Sequence, residues 1–224
     1  MLVFDHVFKR YPETGDVLSN VSFNLEQGEM SFLTGRSGAG KSTLLKLIAG
    51  MERCSRGQII FDGQNINRVT DKQIPFVRRK LGLIFQDYKL LHDRTVFDNV
   101  ALPLVVAGYH FNDITRRVRA VLDKVALSGM EKKYPLTLSG GEQQRVGIAR
   151  AVVHKPKMIL ADEPTGNLDP ELSAEIMNLF ALFQQVGVTI LIASHDLALI
   201  GTMNQQVLHL DQGRLLENPH EKTQ

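Results

Sequence analysis

The 224-residue sequence has no tryptophan, one cysteine and an aromatic fraction of only 7%. With Cys54 alone, an intrachain disulfide or a cysteine metal cluster is excluded, and a reducing compartment is expected. Cys54 itself reads as an inert small side chain. Charge of one sign is scarce too: 26 Lys and Arg face 24 Asp and Glu, and the formal surplus of +2 is too small to point to nucleic acid or an anionic membrane. Long apolar runs are missing. Val100–Gly108, interrupted by Pro103, and Val186–Ala193 fall far short of the roughly 20 residues that span a bilayer. MLVFDHVFKRYPE, interrupted by Asp5 and His6, lacks the pattern of a secretory signal. The chain is therefore expected to be neither exported nor anchored by a segment of its own.

The composition is that of a globular protein, 43% hydrophobic and 22% charged, at a length suited to one α/β domain with a subdomain. Strands are expected at Leu2–Phe8, at Leu18–Leu25 with Val21, Phe23 and Leu25 inward, and at Met30–Thr34. GQIIF, closed by Asp62–Gly63, and LGLIF add two more. From Thr95 to about His154 the pattern turns helical. Ile114, Val118, Val121, Leu122 and Val125 recur at helical spacing, opposite Arg116, Arg117, Arg119 and Lys124. After Pro156 the alternation resumes with strand MILA, a helix over Pro170–Gln185 and strand VTILIA, continuous in the manner of buried parallel strands. A hairpin around Asp211–Gly213 and a frayed polar tail, ENPHEKTQ, close the chain. The result is an α/β core interrupted by a mainly helical insertion at about 87–155.

Strand Met30–Thr34 runs into Gly35, Arg36, Ser37, Gly38, Ala39, Gly40, Lys41 and Ser42 and then into apolar LLKLIAG, matching the phosphate loop with strand before and helix after. Glycines let backbone N–H groups close on phosphate oxygens, the helix end adds its positive dipole, Lys41 supplies a point charge, and the Ser42 hydroxyl can ligate magnesium. Thr43 is counted with the nucleotide-binding residues. The dinucleotide pattern G-x-G-x-x-G is not met, which disfavours a nicotinamide or flavin enzyme. Asp162, at the end of strand MILA, is placed to hold magnesium, and Glu163 beyond it to orient and deprotonate a water at the terminal phosphate. Leu138-Ser139-Gly140-Gly141-Glu142 opens a second glycine-rich helix start suited to an anion.

One nucleotide does not need two cradles, and the combination resembles the ATP-binding subunits of ABC systems over essentially the whole chain. The fold implied is a P-loop NTPase core of RecA-like type with an antiparallel β subdomain and a helical subdomain insertion, one ABC ATPase domain over 1–224 with the helical part at 87–155. In that family the signature stretch of one protomer faces the phosphate loop of the other. The resemblance thus implies a homodimer closed on two ATP molecules, with Ser139, Gly140, Gly141, Glu142 and Asp169 contacting nucleotide in trans. It also implies that Tyr11 stacks on adenine with Val17 as apolar neighbour, that Gln86 touches magnesium and the attacking water, and that His195 contacts the terminal phosphate. Cofactors would be ATP and Mg2+.

GRSGAGKSTLLKLIAG, RRKLGLIFQDYKLLHDRTVFDNVALPL and ADEPTGNLD are similar to the cell-division branch of the family. That branch implies a polytopic membrane partner, FtsX, and the cell-division machinery. It implies a peripheral position on the cytoplasmic face of the inner membrane at the septum, where ATP turnover governs peptidoglycan hydrolases; no nucleic acid is bound and nothing inserts directly into the membrane. The family's partner groove maps to Gln86–Leu104, where some of Tyr88, Leu90, Leu91, Val96 and Phe97 should be exposed. Alternatives are the motor of a lipoprotein-release or macrolide exporter, a nucleotide-dependent scaffold, and a DNA-repair or chromosome-organising ATPase. No sustained heptad separates the two motifs, which argues against the last.

Overall fold

The computed structural model describes residues 1–216; the expected frayed tail, Glu217–Gln224, lies outside the described residues. Along the chain run β1 (Leu2–Tyr11), β2 (Gly15–Leu25), β3 (Met30–Thr34), α1 (Lys41–Ile48), β4 (Arg56–Phe61), β5 (Gln64–Asn65) and α2 (Ile74–Arg78). They are followed by β6 (Leu81–Ile84), α3 (Val96–Val106), α4 (Phe111–Lys124), α5 (Gly140–Val152), β7 (Met158–Asp162) and α6 (Pro170–Gln185). The chain ends in β8 (Thr189–Ala193), α7 (Leu197–Met203), β9 (Gln206–Asp211) and β10 (Arg214–Leu215). Two compact units result, Met1–Arg78 with the chain from Thr189 onward, and Arg79–Val188.

In the first unit β1 and β2 form a long hairpin with Leu2 opposite Leu25, Phe4 opposite Phe23 and Tyr11 opposite Gly15. Strict alternation fails between Leu18 and Val21, both fully buried, because Asn20 adopts φ 57° and the register shifts there. Val21 and Leu25 point inward as expected, whereas Phe23 is half-buried and stacks on Phe4 at 4.6 Å. Strand β4 pairs antiparallel with β1, and β5 pairs with β4 across Asp62–Gly63, both at positive φ as a tight hairpin turn requires. All five residues of β3 are buried, and the strand lies between parallel neighbours β8 and β9, with β10 antiparallel on β9. Near-continuous apolar strands suit such a central position, and the two buried hydroxyls of β3 are satisfied, Ser31 donating to the Gln206 side-chain carbonyl and Thr34 pairing with the His209 ring.

In the second unit β6 and β7 pair in parallel, Leu81 with Met158 and Ile84 with Ala161. Helix α3 packs on α4 and α5, and α4 on α5. Ile114, Val118, Val121 and Leu122 form the buried face of α4, as their spacing predicts, while Arg116 pairs with Asp113 outside. Helix α3 starts with a reciprocal Thr95–Asp98 cap and runs through Pro103. Asn99, with no exposed surface, donates from its amide to the Leu91 and Thr95 carbonyls and accepts from the Leu91 N–H, fixing the loop before the helix. Among the described residues no helix is long and apolar enough to cross a membrane.

Candidate nucleotide site

Strands β3 and β8 are parallel neighbours with Leu33 beside Ala193, so the first unit brings the loop Gly35–Ser42 and His195 to adjacent carboxyl ends. In parallel sheets that edge is where ligands bind. Gly35, Gly38 and Gly40 take φ of 147°, 80° and 106°. A Cβ on Gly35 would stand 2.1 Å from the Leu210 carbonyl oxygen, and one on Gly40 would meet the Leu18 side chain at 2.8 Å and the Val17 carbonyl at 3.0 Å. Two of the three glycines are thus demanded by packing as well as by conformation. Gly40 caps α1 without a side chain, which leaves the backbone N–H groups of the first turn facing the loop. The Lys41 ammonium reaches back to donate to the carbonyls of Gly35, at 2.6 Å, and Arg36, at 3.3 Å, holding the charge over the loop. Arg36, Ser37, Gly38 and Ser42 are exposed, Gly35, Lys41 and Thr43 half-buried, and Ala39 and Gly40 buried.

Val17 contributes through its backbone carbonyl, pressed between Gly40 and Gly213, and its side chain is half-buried. Tyr11 ends β1, and its hydroxyl donates to the Glu52 carboxylate. Burial first, and that carboxylate second, push the Tyr11 phenol above its ordinary pKa, so it remains a donor at neutral pH. His195 is exposed two residues after β8, in the segment pinned by the Ser194 N–H donating to the Leu33 carbonyl and by Asp196 capping α7.

The second unit performs the same operation on β6 and β7: Gln86 and Asp162 follow at paired carboxyl ends. Glu163 has φ 49°, a left-handed conformation costing a non-glycine residue about 1–2 kcal/mol, as residues at functional sites often do. The Gln86 amide and the Glu163 side chain both lie 3.6 Å from where a Gly166 Cβ would stand, so these two groups share one corner. Asp162 and Glu163 are half-buried and Gln86 is exposed.

Ser139 and Glu142 form a reciprocal cap at the start of α5: the Ser139 hydroxyl accepts from the Glu142 N–H at 3.3 Å and the Glu142 carboxylate accepts from the Ser139 N–H at 2.7 Å. Gly140 lies beside the Tyr88 hydroxyl, and a Cβ on Gly141 would strike Leu172 of α6 at 2.2 Å. Asp169 caps α6 by accepting from the Leu172 N–H at 2.9 Å. Ser139, Gly141, Glu142 and Asp169 therefore each have a task within their own chain.

Two features of this unit gave no signal in the sequence. Arg150, on α5, donates to the carbonyls of Tyr88 and Lys89 at 2.6 Å each, and Tyr88 and Lys89 stand at φ 57° and 47°. Gln144, on the same helix, donates from its buried amide to the Pro164 carbonyl at 2.7 Å. Of the five apolar residues expected at a partner groove, Leu90 and Val96 belong to the core, Tyr88 and Phe97 are half-buried, and Leu91 is 42% exposed.

The first unit offers phosphate binding by backbone amides and a lysine with the Ser42 hydroxyl beside them; the second offers the Gln86 amide with the carboxylates of Asp162 and Glu163. Among the described residues no three His, Cys, Asp or Glu gather as a metal cage. Donors this lean in carboxylates, in either unit taken by itself, suit magnesium, which keeps waters and substrate phosphates as ligands.

The family model described as ABC transporter matches residues 18–166. The cell division ATP-binding protein FtsE of Escherichia coli K12 is 57% identical over 215 residues, covering 96% of this chain and 97% of that protein. FtsE of Bacillus subtilis is 42% identical, with 97% of this chain and 96% of that protein covered. Among solved structures, a dimeric post-hydrolysis state of the ATP-binding cassette MJ0796 bound to ADP and Pi superposes with a TM-score of 0.87 at 32% identity, covering 96% of each chain.

Proposed function

The chain belongs to the ABC transporter ATP-binding family and is an ATPase with the ABC cassette fold, and from that membership we propose that it is the motor subunit of a bacterial cell-division complex. The observation that carries this reading is the nearly full-length likeness to FtsE proteins. We read residues 1–224 as a single ATPase domain with a helical subdomain inserted at 87–155. Its membrane partner would be FtsX, at the cytoplasmic face of the inner membrane at the division septum, where ATP turnover would govern peptidoglycan hydrolysis.

In this mechanism the backbone of Gly35–Thr43 and the Lys41 ammonium hold the ATP phosphates, and Tyr11 receives the adenine beside Val17. Ser42, Gln86 and Asp162 would hold magnesium, which when bound neutralises charge on the phosphate oxygens. Glu163 accepts the proton of the attacking water, and Gln86 and His195 orient that water and the terminal phosphate. Ser139, Gly140, Gly141, Glu142 and Asp169 act on the nucleotide of a second protomer, so ATP closes a homodimer and hydrolysis releases it. Leu91, an exposed apolar residue shortly after Gln86, suits a contact with the membrane partner.

Glu163→Gln keeps shape and loses the base, so turnover should fall about 10²- to 10⁴-fold while ATP still binds. Affinity capture with this variant and ATP from detergent-solubilised membranes should retain an integral protein of FtsX type. Capture of a lipoprotein or drug exporter subunit instead would overturn the cell-division reading.

A further inference from the structure

The tyrosine at the end of β1 is held on two sides by charged groups that the phosphate chemistry does not use. The Lys9 ammonium lies 4.6 Å from the centroid of the Tyr11 ring, within cation–π range, and occupies one face of it. The same ammonium pairs with the Glu52 carboxylate at 2.9 Å and donates to the Arg53 carbonyl at 2.9 Å. Glu52 accepts the Tyr11 hydroxyl on the same oxygen, Oε2, so ring plane and hydroxyl direction are fixed together. The ion pair is sheltered, with the Lys9 and Glu52 side chains only 13% and 22% exposed. Burial works against the Glu52 charge, but the Tyr11 hydroxyl and the Lys9 ammonium outweigh it and hold its carboxyl below the ordinary range. Three residues from two segments, β1 and the turn after α1, thus form one unit, with the Thr43 side chain also at the Tyr11 hydroxyl and one ring face taken by Lys9.

We propose that Lys9 and Glu52 are positioning residues for nucleotide binding: they lock Tyr11 in one orientation with one face presented, so that a purine base stacks on a ring already ordered. This deepens the proposal that Tyr11 receives adenine and rests on it. A side chain ordered before binding spares the ligand the cost of ordering it, which for a rotamer-rich group corresponds to about three- to tenfold in affinity. The benefit belongs only to ligands that carry a base. The triphosphate meets Gly35–Thr43, which reaches this unit through the Thr43 side chain at the Tyr11 hydroxyl and not through Lys9 or Glu52.

The test is calorimetric titration of the full chain with ATP and with inorganic tripolyphosphate, each with magnesium. Lys9→Met, which keeps an apolar stem, and Glu52→Gln should each weaken ATP about three- to tenfold and leave tripolyphosphate within about twofold. Lys9→Arg, which retains the cation and the ion pair, should restore ATP affinity. Tyr11→Ala reports on the underlying reading and should lose ATP affinity without losing tripolyphosphate. If Tyr11→Ala loses ATP while Lys9→Met and Glu52→Gln bind it normally, the tyrosine is the platform but needs no positioning, and the inference falls alone. If Tyr11→Ala itself binds ATP normally, the platform falls with it. Equal losses for ATP and tripolyphosphate would place the damage in the phosphate loop and also overturn the proposal.

Discussion

Replacing Arg150 by alanine removes two hydrogen bonds from a charged donor to the carbonyls of Tyr88 and Lys89, each 2.6 Å long. Bonds of this type contribute about 1.5–3 kcal/mol apiece when the partner is left behind. Water can reach part of the freed backbone, because Lys89 is exposed and Tyr88 half-buried, so a combined loss of about 2–4 kcal/mol is expected. In a chain of this length that lowers the melting temperature by about 5–15 °C. The same bonds hold two left-handed residues that would each relax given freedom, and Gln86 stands two residues before Tyr88. Turnover should therefore fall about 10- to 100-fold, the scale of a displacement near 1 Å, with the KM for ATP little changed. Arg150→Lys keeps the charge but not the fork and should fall between the two. Adding Lys89→Gly to Arg150→Ala should recover part of the stability, since glycine adopts positive φ freely. A melting temperature for Arg150→Ala within about 2 °C of wild type and a kcat within about twofold would refute the reasoning.

Lys41→Ala should abolish ATP binding measured with a fluorescent analogue, because the loop loses the ammonium held over it; affinity within about threefold of wild type would remove Lys41 from the site. Ser139→Arg should spare binding to its own phosphate loop and abolish hydrolysis, and mixing it with Lys41→Ala should recover some activity, since one mixed site then carries neither lesion. No recovery at any ratio, with heterodimers demonstrated, would count against shared sites. Burial lowers the pKa of His154, whose ring N–H donates to the Leu81 carbonyl. Below the unfolded value, about 6.5, the unfolded chain takes up a proton that the folded chain resists, so this contribution is complete above that pH and stability declines as pH falls below it. Denaturant titrations at pH 7.5 and 5.5 should show a smaller decline for His154→Phe, and equal declines would refute the assignment.

The phosphate loop, the Asp162–Glu163 pair and the second glycine-rich start were legible because each is a local pattern flanked by recognisable elements. The long strands and the α4 face were legible for the same reason. Short elements were not: β5 has two residues, α2 five and α7 seven, too few for a period to develop. Asn99 reads as a surface polar residue until α3 packs and buries it, when its amide becomes the organiser of a loop. Pro103 marks an interruption in the sequence, yet α3 continues because packing on α4 and α5 outweighs one missing N–H. Lys9 and Glu52 lie 43 positions apart, so no window contains both.

The left-handed residues Tyr88, Lys89 and Glu163 were the least legible, since none is a type that favours that conformation. What holds them explains why they can be tolerated. Helix α5 grips the loop after Gln86 through Arg150, and the turn after Glu163 through Gln144 and the Pro164 carbonyl. It also receives Leu172 of α6 against Gly141, one residue inside its capped start. The signature helix is therefore bonded or packed to both strained loops and to the helix capped by Asp169, all within one unit. The hydrogen bonds from α5 end on Tyr88 and Lys89, just after Gln86, and on Pro164, next to Glu163. Strain at those two loops is affordable because one rigid element opposes it at several points, and weakening any one of them should be felt at the others.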